Sequence, residues 1–308
     1  MKKIIYLAAF LMGLVLFPSC QKEEMVQKEA TASFQISIPQ EVVTKAYGDG
    51  KFDAKNVIIG IFDENGVEKT RTVLDWGKDE FKKDVQLTFV IGASYQMVFW
   101  AQYGEAYGKC ESMKLDKITM PYEKSNQENL DAFYAYVPVF KVTGDFNKEV
   151  EMKRPFAQVN FATTPGDIDE AIKAGLDPKA VVTLSNVAKT LNLFTGETSE
   201  YGKVTVPATE IAKDANGKYY QIEVEGKNYD VVAMNYFLVA DKETTDGKTT
   251  SDMNLKVDEV DLTVPGANMK RNFRTNIVGE LLTGEGKFTI SIDPIFTSAY
   301  NEDITDHI

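Results

Sequence analysis

Apolar side chains alternate with polar ones along most of this chain, and a period of two restricts it to a sheet protein. Phe34, Ile36 and Ile38 alternate with Ser33, Gln35 and Ser37 up to Pro39, and Val85, Leu87 and Phe89 alternate with Gln86 and Thr88. Successive side chains of a strand point to opposite faces, so each run reads as a half-buried strand. Further strands are expected at 57–62, 95–101, 133–142, 150–163, 180–184, 190–194, 218–224, 229–240 and 288–292. Pro155 marks an edge or bulge within the run 150–163. The stretch 231–239 is almost wholly apolar, as in a strand covered on both faces.

The punctuation agrees with that reading. Asp63-Glu64-Asn65-Gly66 and Asp214-Ala215-Asn216-Gly217 are expected to form type I′ hairpin turns, because Asn-Gly supplies positive φ at both central positions. The spaced carboxylates and distal Glu of a calcium loop are missing from both. A hairpin is expected around Gly226, and a Thr/Lys/Asp-rich loop at 241–252. The one clear helix candidate is 167–174, where Ile168, Ala171 and Ile172 share a face and Gly175 can cap the end. Many short strands with turns between them mean β-sandwich or barrel architecture with little helix. A boundary is expected near 144–150, which divides the chain into sandwich domains at 31–147 and 148–308.

Composition narrows the chemistry. Among 308 residues, 34 Lys and Arg face 46 Asp and Glu, a net charge of −12, so no whole-molecule attraction draws this chain to nucleic acid. The single histidine, His307, is next to last, where an imidazole is seldom held by neighbours. Two cysteines, Cys20 and Cys110, make neither a zinc cluster nor a disulfide framework. Phosphate-binding Gly-rich motifs are absent. No local motif pairs carboxylates for glycoside hydrolysis. Phe99, Trp100, Tyr103 and Tyr107 could stack on sugar rings, although strand aromatics more often fill a core. The expectation is therefore no catalysis, no metal and no cofactor.

The N-terminus carries an address. Lys2 and Lys3 precede an uncharged run at 4–17, too short to span a bilayer as a helix and suited to the apolar core of a secretory signal. The run closes on Leu16-Phe17-Pro18-Ser19-Cys20, which resembles the lipobox of bacterial lipoproteins, with Phe17 where Leu is usual. Residues 1–19 are thus expected to be a signal peptide and Cys20 the lipidated residue, with 20–30 as a tether. Gln21-Lys22-Glu23-Glu24 resembles the signal that sends Bacteroidota lipoproteins to the outer face of the outer membrane. With Cys20 acylated, Cys110 has no partner and is expected to be a buried small apolar residue.

Three stretches in order resemble the fimbrillin-like lipoproteins of Bacteroidales, the superfamily of type V pilus subunits. They are the lipoprotein N-terminus followed by a strand and Val43-Thr44-Lys45-Ala46; Met152-Lys153-Arg154-Pro155-Phe156-Ala157-Gln158-Val159-Asn160-Phe161; and the segment 271–283 followed by 288–296 with Asp293-Pro294. The resemblance implies two tandem transthyretin-like β-sandwich domains and a structural or adhesive role. In the pilus-forming members a trypsin-like protease cuts behind the first strand, and a strand from a neighbouring subunit replaces it. Here that implies cleavage between Lys45 and Ala46, with Lys in place of Arg, and a displaced strand carrying Phe34, Ile36 and Ile38. The partners implied are other fimbrillin-like subunits by strand exchange, the outer membrane through the lipid, and host or microbial surface ligands. As a donor strand the C-terminal tail is mediocre, since Ser298, Glu302 and Asp306 share the face of Phe296, Tyr300, Ile304 and Ile308. The alternative is a surface glycan-binding lipoprotein of a nutrient-uptake system.

Overall fold

A computed structural model of the chain describes residues 28–38, 56–77, 81–240, 248–284 and 287–294. The first part holds β1 (Glu29–Ser37), β2 (Asn56–Asp63), β3 (Glu68–Asp75), β4 (Lys82–Val90), β5 (Ser94–Gln102), β6 (Lys117–Thr119), β7 (Phe133–Lys141) and β8 (Phe146–Glu151). Next come β9 (Phe156–Thr163), α1 (Asp167–Lys173), β10 (Lys179–Val187), β11 (Thr190–Asn192), β12 (Thr198–Ser199) and β13 (Gly202–Glu210). The last are β14 (Gln221–Val224), β15 (Lys227–Leu238), β16 (Lys248–Val257), β17 (Val260–Lys270), β18 (Phe273–Gly279) and β19 (Phe288–Pro294). Apart from α1, the only helical residues among those described are a 3-10 turn at Glu128–Leu130. The chain is all-β.

Four sheets stack through three apolar cores. The sheet β4-β1-β8 packs on one face of β3-β2-β5-β7 through a core that includes Phe34, Ile36, Ile59, Phe99 and Val137. The sheet β13-β10-β16-β17 and α1 pack on one face of β14-β15-β9-β18-β19 through Ile168, Val182, Phe161, Leu255 and Ile277. The third core joins the remaining faces of the two inner sheets, where Ile58, Trp100 and Tyr134 meet a set that includes Phe156, Met234 and Val278. The small sheet β12-β11-β6 adds Ile118 and Leu191 there. Two covered faces explain why β9 and most of β15 are buried at every position, whereas β1 alternates.

Several expectations need correction. The run 150–163 is two strands in different sheets: β8 pairs with β1, β9 pairs with β15 and β18, and Pro155 lies in the crossing, not at a bulge. The Asn-Gly turns are not type I′, since Gly66 (φ 81°) and Gly217 (φ 78°) have positive φ and Asn65 and Asn216 do not. The reason is the preceding aspartate. Asp63 Oδ1 accepts the amides of Asn65 (2.9 Å) and Val67 (3.0 Å), and Asp214 Oδ1 those of Asn216 (2.9 Å) and Lys218 (2.8 Å), which holds a wider loop. Positive φ at both central residues occurs instead at Glu225 (52°) and Gly226 (74°), between β14 and β15. The segment 248–252, expected in a loop, begins β16. Ile172 points away from the core that Ile168 and Ala171 enter.

Candidate functional site

The strand β1 lies between one antiparallel and one parallel neighbour. Its register runs from Glu29↔Val90 to Ser37↔Lys82 on β4, and from Ala32↔Phe146 to Ser37↔Glu151 on β8. The contacts continue past the strand: Ile91 N–H donates to the Lys28 carbonyl (2.8 Å), Ile38 N–H to Phe81 (3.0 Å), and Met152 N–H to Ser37 (2.9 Å). Thr31 N–H donates to Asp145 Oδ1 (2.8 Å).

Its side chains divide by face. Ala30, Ala32, Phe34, Ile36 and Ile38 are all at most 2% exposed, while Thr31, Ser33, Gln35 and Ser37 face outward. Phe34 is the anchor, with its ring edge-on to Phe146 (5.8 Å between centroids) and tilted against Phe89 and Phe99 (6.2 Å each). Each such buried side chain stabilises its seat by about 1.5–3 kcal/mol. All the groups that fill this groove are apolar. Such contacts depend on shape and apolar area and not on a specific polar partner.

The two other stretches that carry the family resemblance meet as parallel neighbours, β9 and β18. Their side chains form a buried polar network. The Arg154 guanidinium donates from Nε (2.6 Å) and Nη2 (2.5 Å) to the two carboxylate oxygens of Asp131, and from Nη1 to Asn272 Oδ1 (2.9 Å). Both ion-pair side chains are 1% exposed. Arg274 Nε donates to Gln158 Oε1 (3.0 Å), and Asn160 Nδ2 to Asn276 Oδ1 (2.7 Å), whose own amide reaches Asp293 Oδ2 (2.6 Å). At the far end Asp167 accepts the amides of Leu282 (3.0 Å) and Thr283 (3.1 Å) and the hydroxyls of Thr163 and Thr283. These residues fix strand positions. The sequence marks these stretches without revealing their use; its one signal for it is an arginine and several amides inside apolar runs.

The other candidates separate clearly. Cys20, Lys45 and Ala46 lie outside the described residues, as do Phe296, Tyr300, Ile304 and Ile308. Phe99 and Trp100 are fully buried in different cores, so neither stacks on a sugar. The Tyr107 hydroxyl donates to the Leu130 carbonyl, and burial, with Asp131 beside it, pushes its pKa well up. Cys110 is a free, buried thiol; burial is the first cause of its raised pKa, so it is not activated. Asp63 and Asp214 are occupied by their own turns, which leaves them unsuited to a shared metal. No helix among the described residues is long and apolar enough to cross a membrane.

The fold has solved counterparts. DUF1812 proteins of Bacteroides thetaiotaomicron, called polysaccharide-binding, align over 87% of this chain and 99% of theirs, with 11% identity and a TM-score of 0.50. The tip fimbrial protein Mfa3 of Porphyromonas gingivalis aligns over 87% and 100%, with 12% identity and a TM-score of 0.46. A fimbrillin of the same organism aligns over 87% and 98%, with 15% identity and a TM-score of 0.45. At these identities the likeness is one of fold. No curated protein matches the chain. A family model described as a family of unknown function, DUF6562, matches residues 22–307.

Proposed function

The chain belongs to the DUF6562 family, and from the seat of β1 we propose that it is a cell-surface subunit of a fimbria, structural or adhesive, that assembles by strand exchange. Cys20 anchors it to the outer membrane through acyl chains until cleavage after Lys45 severs the tether, and the Phe34-Ile36-Ile38 strand then yields its groove to a strand from a neighbouring subunit. It has no catalytic role.

The observation that carries this reading is the chemistry of the groove. Strand β1 is a middle strand, yet all its buried side chains are apolar and lie on one face. Its main-chain partners on β4 and β8 would serve an incoming strand equally well. On this account the chain has two sandwich halves that divide near 144–150, and β8 goes with the first through its pairing with β1. The glycan-uptake alternative loses the aromatic platform offered for it, because Phe99 and Trp100 are fully buried.

The test is assembly. Incubation with a trypsin-like protease should remove residues up to Lys45 and give a ladder of oligomers stable in mild detergent, and Lys45→Gln should abolish both. Cell-surface protein that keeps an acylated Cys20 and never oligomerises would overturn the assembly step.

A further inference from the structure

Beside Tyr107, on the connection from β5 to β6, is an open depression of about 340 Å³. Six of its lining side chains matter: Tyr107, Lys109, Ser112, Lys114, Lys117 and Thr119. The sequence of this connection alternates charge, with Glu105, Glu111 and Asp116 interleaved among the three lysines. The fold sorts them, so that all three lysines line the depression and none of the three acids does. In a chain of net charge −12 this is a local concentration of cations. Lys117 also reaches Glu200, an exposed pair that costs little to open.

Lys109 and Lys114 rise from a loop held in place at several points, and Lys117 opens β6. Buried Gln102 donates from Nε2 to the carbonyls of Gly104 (2.6 Å) and Gly108 (2.9 Å). Arg71 Nη1 donates to the Cys110 carbonyl (2.8 Å). Within the loop, Gly108 N–H bonds Glu105 (3.0 Å), and the amides of Ser112 (3.0 Å) and Met113 (2.9 Å) share the Lys109 carbonyl. Leu115 sits against Gly60 of β2, where an added Cβ would meet Leu115 Cδ1 at 2.6 Å. The Tyr107 ring stacks on Phe156 and meets Trp100 edge-on, which makes a fixed wall. A loop ordered in advance binds without the entropy cost of ordering on contact.

We infer that this depression binds an acidic sugar, one carrying carboxylate or sulfate groups. Ammonium groups meet the anionic substituents, the Ser112 and Thr119 hydroxyls meet ring hydroxyls, and the volume suits one or two sugar units. The site adds a ligand class to the adhesive reading, but it forms within one subunit and needs no assembly.

The test is calorimetric titration of the monomer with a sulfated uronic-acid disaccharide, a neutral disaccharide and inorganic sulfate. Saturable binding of the acidic disaccharide is expected, weakening as salt is raised. The double variant K109Q/K114Q should weaken it by about tenfold or more at unchanged circular dichroism, with Lys227→Gln as the neutral control. The inference fails if the acidic disaccharide does not bind, if the neutral disaccharide or sulfate binds as tightly, or if the double variant binds as the parent does. A monomer that binds the sugar but never assembles would leave this site standing and remove the strand-exchange reading.

Discussion

Strands β1 and β9 occupy the same kind of position and are held by opposite chemistry. Each is a middle strand with one antiparallel neighbour, β4 or β15, and one parallel neighbour, β8 or β18. Strand β1 buries one face, and it does so with alanine, phenylalanine and isoleucine. Strand β9 is buried at all eight positions and carries Gln158 and Asn160, each bonded to a named partner on β18. The segment leading into β9 adds the Arg154–Asp131 pair. Apolar contacts are non-directional, so the seat of β1 constrains its occupant by shape alone. Buried polar contacts are directional and costly to leave unmade, so β9 accepts none. The architecture thus combines a strand seated by apolar shape with one keyed by polar partners.

The largest expected effect comes from removing β1. Phe34, Ile36 and Ile38 together contribute several kcal/mol, at about 1.5–3 kcal/mol each, against a typical domain stability of about 5–15 kcal/mol. Protein lacking residues 1–38 should therefore lose the cooperative urea transition of its N-terminal sandwich and regain it when a peptide of residues 28–38 is added. A truncated protein with the parental transition would dissolve the contrast, since β1 would then not be structural.

Arg154→Met leaves the buried Asp131 carboxylate unpaired and should destabilise the protein by about 3–5 kcal/mol in urea unfolding. The double change R154M/D131L should recover much of that loss. Recovery by added free guanidinium compounds, by analogy with peptide rescue of β1, is not expected. Ile36→Ala should cost about 2–5 kcal/mol, whereas Ile36→Val should cost only about 0.5–1.5 kcal/mol. A Val variant as damaged as the Ala variant would show that β1 is keyed after all.

The smallest effect concerns the matching turns of the two halves. Asp63, bonded by Lys69 and by the Val67 amide, and Asp214, bonded by the Lys218 amide, both titrate below the ordinary carboxylate value of 3.8. The depressed pKa means that their contribution is present above about pH 4 and lost as pH falls through the folded-state value. Carboxyl-carbon NMR titrations should place both midpoints below 3.8. Equal behaviour of the two turns would confine the difference between the halves to their central strands.

Much of this was legible along the chain, but unevenly. Strand β1 was readable because one face is solvent and the period of two survives. The break between β8 and β9 was not, because both flank Pro155 with apolar residues that belong to different cores. The hairpin of β16 and β17 was hidden because Lys256 and Asp261 lie on its outer face and Asp258 in its turn, although Met253, Leu255 and Val257 alternate beneath. Partners such as Arg154 and Asp131, or Asn160 and Asn276, are 23 and 116 positions apart, and only folding shows that they meet.

The most direct test is to nick the purified protein after Lys45 and add an excess of isotope-labelled peptide of residues 28–38, followed by native mass spectrometry. The account predicts that nicked protein keeps its own strand at first, then takes up one labelled strand per molecule as the original leaves, while hydrogen exchange in β9 stays slow. Nicked protein that never incorporates the peptide, or that opens β9 as readily as β1, would contradict it.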